Sequence, residues 1–187
     1  EAAKRVTKDI QAHIKTGSAH KLLMHDEPHD DHAPLTALLP VLASTLGPYM
    51  EHDDNDSIFQ LLSEELEEVS ISKDTIVWDA GERPNALYFI ESGILVARYV
   101  FSQNEYEINE AMLAGTIAGE LTFLAKQPRN TTVTAEMDTK VWRLDEHSMT
   151  KIAQKDTLAY SKLVQLLLRV TADEQDCLMS YLVARLN

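Results

Sequence analysis

The sequence predicts a mainly β domain, an antiparallel roll or sandwich, held between helical segments at both ends. Three observations predict it. Between residues 75 and 144, short β-type runs alternate with turn residues at close intervals. Before residue 70 and after residue 147, apolar residues recur at three- and four-residue spacing. The 187 residues, 44% apolar and 25% charged, suit one domain of ordinary size with long helical flanks, or two small ones.

Residues 1–16 carry a weak helical pattern (Val6, Ile10, Ile14), and residues 17–33 are polar and rich in His and Asp. Residues 1–33 are therefore expected to be a linker or the end of a preceding domain, disordered near 25–33. From Pro34, the spacing Leu35, Leu38, Leu39, Leu42, Leu46 predicts a helix that Gly47-Pro48 ends. Ser57 is expected to cap a second helix running through Glu68, so that residues 34–70 form a helical segment. The roll is expected over 71–146, with strands at Thr75–Trp78, Ala86–Ile90, Ile94–Phe101, Glu105–Leu113, Thr131–Glu136 and Val141–Leu144. Turns fall at Asp79-Ala-Gly81 and Glu91-Ser-Gly93. Residues 147–187 turn helical again on the stripe Leu163, Val164, Leu167, Val170, Leu178, Leu182, Leu186, with a break expected near Thr171–Asp173. The chain shows no internal repeat.

Charge narrows the function. Seventeen Lys and Arg against thirty Asp and Glu give −13, which repels nucleic acid and anionic lipid. Eight of the carboxylates fall in residues 51–68, which hold no Lys or Arg, so the remainder is only mildly acidic and can still build a local anion site. That acidic run reads as a solvated helix face rather than a docking surface. The apolar stretch Pro34–Met50 is too short and too interrupted to span a bilayer, so no membrane insertion is expected. A single cysteine, Cys177, excludes an internal disulfide and suggests a reducing, intracellular compartment. No signal peptide opens the chain, and the absence of an initial Met suggests a segment of something larger.

One segment breaks the strand pattern: Gly115-Thr-Ile-Ala-Gly119-Glu120-Leu121-Thr122-Phe123, followed by Pro128-Arg129-Asn130-Thr131-Thr132-Val133. It reads as strand, glycine turn, one or two helical turns, Pro-Arg, strand. A short helix opening at Gly119 aims free N–H groups and the positive end of its dipole into the roll, and Arg129 can add a bidentate guanidinium to the same anion. Glu120 cannot hold a phosphate. As an acceptor for a sugar hydroxyl it completes a site for a ribose and a phosphate together.

Gly-Glu-Leu followed by Pro-Arg-x-x-Thr-Val resembles the phosphate-binding cassette of the cyclic nucleotide-binding domain family. The upstream Asp79-Ala-Gly81-Glu-x-x-x-x-Leu87-Tyr-Phe-Ile90-x-Ser-Gly93 resembles that family's first hairpin. The resemblance covers about residues 57–175 and implies an eight-stranded antiparallel jelly roll with helices before it and lid helices after it. It further implies that Glu120 takes the ribose 2′-hydroxyl, Arg129 the cyclic phosphate, and the backbone of Asn130 and Thr131 further phosphate contacts. Gly119 allows close approach, and Leu121 and Thr122 belong to the same implied binding site. The implied ligand is cAMP or cGMP, with no other cofactor. Ala118, where many members carry a larger apolar residue, and Asn130, where Ala, Thr or Ser is usual, depart from the pattern.

A narrower resemblance rests on Gly115-Thr-x-x-Gly119-Glu-Leu, Trp142-x-Leu144-Asp145 and the tail Leu168–Leu182. These are similar to the cytosolic C-terminal region of fungal sulfate-permease-like transporters. It implies a module on the cytosolic face of a membrane, with STAS and transmembrane domains as partners in cis and no nucleic-acid partner.

Other readings of the same residues remain. The cassette can be kept for folding alone, with Arg129 neutralising Glu120 in an empty roll. His25, His29 and His32 with Asp26, Asp30 and Asp31 can be written as metal ligands, but linker composition accounts for them. Trp78, Phe89, Tyr99 and Trp142 fall at strand positions and read as core or cross-strand packing. Metal-centred jelly-roll enzymes need His and Glu on their strands, and residues 71–144 contain neither His nor Cys. His147 is the only His beyond position 52, so no catalytic constellation is expected.

Overall fold

The computed structural model describes residues 33–50, 55–101 and 106–186. The N-terminal helical pattern, the expected disorder near 25–33 and the His/Asp cluster lie outside the described residues. Residues from Leu35 onward form one compact unit.

Two helices come first, α1 (Ala33–Thr45) and α2 (Asn55–Glu65), joined through a 3-10 turn at Gly47–Tyr49. Eight strands follow: β1 (Glu67–Ile71), β2 (Ile76–Trp78), β3 (Ala86–Ser92), β4 (Ile94–Phe101), β5 (Tyr106–Leu113), β6 (Ile117–Ala118), β7 (Thr132–Ala135) and β8 (Thr139–Asp145). The short α3 (Glu120–Ala125) interrupts them between β6 and β7. The chain then continues through α4 (Glu146–Lys155) and α5 (Thr157–Leu186). The strands form two antiparallel four-stranded sheets, β1-β8-β3-β6 and β2-β7-β4-β5. This is the mainly β, jelly-roll architecture flanked by helices that the sequence predicts.

The apolar run of β3 explains how helices and roll share one sheet. Leu87 and Phe89 face the helices, whereas Ala86, Tyr88 and Ile90 face the second sheet, and all five are buried. A strand covered on both faces reads as a continuous apolar run instead of an alternating one. The helical layer packs Leu38, Leu42 and Leu46 of α1, Ile58 and Leu62 of α2, and Leu163, Leu167 and Val170 of α5 onto β3 and β8. Between the sheets lie Trp78, Leu95, Ala97, Val133, Ala135 and Val141.

Four boundaries differ from the sequence reading. The second helix stops at Glu65, and Glu67–Ile71 is a strand paired with β8. The reason is tertiary: Glu67 meets Arg143 at 2.9 Å and Glu68 meets Lys140 at 3.3 Å across that pair, contacts invisible in local spacing. Ser57 lies in the first turn of α2, not at its cap, because its own backbone is already helical. The two-residue strand β6 is too short to carry a periodic signal. The last helix is unbroken, since buried Thr171 satisfies its hydroxyl by donating to Leu167 O at 2.8 Å. Both C-terminal helices are capped by aspartates: Asp145 accepts from Ser148 N at 2.8 Å, and Asp156 from Leu158 N and Ala159 N at 2.9 Å.

Candidate ligand-binding site

The turn after β2 and the segment after α3 are tied together by the backbone. Gly81 N donates to Arg129 O at 2.7 Å, and Arg129 N donates to Glu82 O at 2.8 Å. Thr132 Oγ1 accepts from Ala80 N at 3.1 Å and reaches Asp79 Oδ1 at 3.3 Å. The hairpin turn and the Pro-Arg segment, separate in sequence, are therefore one structural device that fixes the Arg129 backbone.

Its side chain is equally constrained. Arg129 as a whole is 3% exposed. One terminal nitrogen donates to Gly119 O at 2.7 Å and Thr122 Oγ1 at 2.8 Å, and the other donates to Ala86 O. The group lies over the Trp78 indole, 4.2 Å from its centroid, and Trp78 in turn stacks on Tyr88 at 5.7 Å. Gly119 is the cap of α3 with φ of +79°, and a Cβ there would fall 2.5 Å from an Arg129 nitrogen. No residue with a side chain fits that place without displacing the guanidinium.

All seven residues singled out from the sequence, Gly119, Glu120, Leu121, Thr122, Arg129, Asn130 and Thr131, line one cavity of about 410 Å³ inside the roll. That is within the range of small-molecule sites. Asn130 is exposed, whereas Glu120, Thr122, Arg129 and Thr131 are buried. Burial pushes the Glu120 carboxyl above the usual glutamate range, its own and Leu121's backbone N–H groups pull it back, Glu110 raises it further, and Arg129 lowers it. Arg129 hydrogen-bonds to two carbonyls and a hydroxyl, not to Glu120, so the direct ion pair offered as an alternative is not what holds its guanidinium.

Several wall residues were not legible as such. Trp78 is core, as its strand position suggests, but it is also the shelf beneath Arg129. Tyr99 donates its hydroxyl to Glu110 Oε2 at 2.7 Å on the opposite wall. Glu174, Gln175 and Cys177 close the cavity from α5. The signal for Glu174 is present in the sequence, a carboxylate that continues the three- and four-residue stripe of Leu163, Leu167 and Val170.

The same fold occurs in known proteins. Residues 68–156 match the family model of the cyclic nucleotide-binding domain. Over that segment the chain is similar to the cyclic nucleotide-binding domain family. A solved cyclic nucleotide-binding domain from Methylobacillus flagellatus superimposes with a TM-score of 0.71 at 14% identity, covering 81% of this chain and 83% of that one. The regulatory domain of Toxoplasma gondii PKA, solved with cAMP, gives 0.54 at 22% identity over 67% of this chain and 46% of that one. The Thermus thermophilus catabolite activator protein gives 0.55 at 19%, over 74% and 62%. At these identities the superpositions establish the fold, and this chain spans less than half of the Toxoplasma protein. No curated protein sequence matches the chain. Among the described residues, no helix is long and apolar enough to cross a membrane, and no group of three His, Cys, Asp or Glu is placed to hold a metal.

Proposed function

We propose that the roll is a non-catalytic regulatory module that binds a cyclic nucleotide, cAMP or cGMP, in the 410 Å³ cavity. The observation that carries this reading is a buried guanidinium and a buried carboxylate on the wall of one cavity, each held by backbone. Three of the five N–H groups of Arg129 are used by Gly119, Thr122 and Ala86, which leaves two to meet a cyclic phosphate without dismantling the support. Asn130 and Thr131 line the same cavity and would add backbone N–H contacts to the phosphate, while Glu120, also on its wall, would accept from the ribose 2′-hydroxyl. The T. gondii PKA regulatory domain, solved with cAMP, supports the choice of ligand class. Calorimetric titration with cAMP and cGMP tests it: saturable binding abolished by Arg129→Ala is the expected result, with the two affinities within about tenfold, or about 1.4 kcal/mol.

One observation favours a second reading, a ligand-free interaction module. Arg129 is stacked on Trp78 and hydrogen-bonded to Gly119, Thr122 and Ala86, so partners within the protein hold its guanidinium. No heat and no thermal shift with millimolar cAMP or cGMP would decide for that reading.

The wider setting we propose is the cytosolic face of a membrane, as the regulatory module of a sulfate-type anion transporter with STAS and transmembrane domains in cis. Its support is the sequence resemblance over Gly115–Leu121, Trp142–Asp145 and Leu168–Leu182. A complete reading frame lacking membrane spans and a STAS domain upstream would remove it.

A further inference from the structure

The stripe that docks α5 changes character where the helix reaches the roll. Leu163, Leu167 and Val170 are buried, and the next positions on that face, Glu174 and Cys177, line the cavity. An apolar residue at 174 would continue the docking. The helix instead brings a carboxyl to a space already walled by Glu110 of β5 and Glu120 of α3. The cation of the wall, Arg129, is directed to Gly119, Thr122 and Ala86. The other ionisable groups on this side are Tyr99 of β4, bonded to Glu110, and Tyr49 after α1, which faces Asp173 and Glu174. On α5 itself they are Asp173, Asp176, Cys177 and, more than a turn earlier, Arg169, which donates to Tyr49 O at 3.1 Å.

We propose that the C-terminal part of α5 is a proton-latched lid, closed over the roll while Glu174 carries a proton and loosened when that proton is lost. Closing half-buries Glu174 and sets its carboxyl near two others, so the closed state disfavours its charged form. Burial first, then Glu120 and Glu110, push Glu174 up to about 8 from its ordinary 4.5. The closed state therefore binds more protons than the open one. Closure is strongest below about pH 4.5, weakens by at most tenfold per pH unit above that, and stops changing above about 8. Neutral pH falls on the slope, where a modest proton change or an anion arriving in the cavity shifts the lid population.

This goes beyond nucleotide binding, because it concerns the ligand-free chain and is tested without nucleotide. Amide exchange of the 187-residue chain, corrected for intrinsic rates, is followed from pH 6 to 9. Protection at residues 171–180 is expected to fall at least fivefold while residues 158–167, docked on the sheet, keep theirs. Glu174→Gln, neutral throughout, is expected to stay flat. A flat wild type, an equal slope in Glu174→Gln, or parallel loosening of both segments would overturn the latch. The side-chain carboxyl ¹³C shift of Glu174 in the wild type provides the readout that needs no variant: a midpoint near 8 supports the latch, and one near 4.5 overturns it.

Discussion

The Arg129 guanidinium rests on the face of the Trp78 indole with 4.2 Å between its central carbon and the ring centroid. The indole also belongs to the core between the sheets, so one residue couples the stability of the roll to the aim of the site. Trp78→Ala should cost about 3–5 kcal/mol of folding stability by loss of buried area. Trp78→Phe should keep most of the fold but lose roughly 0.5–1 kcal/mol of cation–π support. Urea denaturation checks the first value. If the site is aimed by Trp78, nucleotide affinity should fall for Trp78→Phe by more than its stability does.

Removing the guanidinium leaves the buried acceptors Thr122 Oγ1 and Ala86 O without that donor, while the part-buried Gly119 O keeps Phe123 N at 3.2 Å. Arg129→Ala is expected to destabilise the ligand-free fold by about 1–3 kcal/mol. Because Glu120 is not among its hydrogen-bond partners, a double-mutant cycle with Glu120→Gln should show less than about 1 kcal/mol of coupling in stability. A larger coupling would point back to an ion pair in the empty roll.

Gly119→Ala meets two obstacles, a left-handed backbone that costs an alanine about 1–2 kcal/mol and an Arg129 nitrogen 2.5 Å from the new Cβ. Gly93→Ala meets harder ones, with φ of +92° and Thr139 Cα only 2.6 Å away, which a side-chain rotation cannot relieve. Thermal melts should therefore rank Gly93→Ala as the more destabilising. Only Gly119→Ala should weaken nucleotide binding beyond its effect on stability.

Glu65 joins α2 to α4 through Lys155 at 2.8 Å and Lys151 at 3.2 Å. The hydrogen bond from Lys155, set against burial and assisted by Lys151, holds its carboxyl below the usual 4.5. Its folded value is depressed, so its stabilisation is present above about pH 4.5 and is lost as pH falls through the folded value. Urea midpoints between pH 3 and 7 should drop on the acid side, and Glu65→Gln should flatten that limb.

Neighbours on α5 should behave oppositely. Leu167 is fully buried and Leu168 is 53% exposed, so Leu167→Ala should cost about 2–5 kcal/mol and Leu168→Ala within about 0.5 kcal/mol. Equal losses would mean that the helix is rotated from the orientation described.

The sequence by itself determined the β-roll between helices, because turn residues, β-branched runs and three- and four-residue stripes are local signals that report local backbone preference. It also determined which seven residues share the cavity wall, since a Gly-Glu turn and a Pro-Arg strand start are contiguous motifs. What it left undecided is non-local. The strand at Glu67–Ile71 exists because β8 pairs with it, setting Arg143 opposite Glu67 and Lys140 within reach of Glu68, and the shelf under Arg129 exists because β2 delivers Trp78 from far away in the chain. The direction of the Arg129 hydrogen bonds, toward Gly119 and Ala86 instead of Glu120, was likewise a matter of tertiary placement. So was the arrival of Glu174 among the carboxylates of the cavity, because burial and electrostatics depend on what the fold brings near, and spacing along the chain does not carry that.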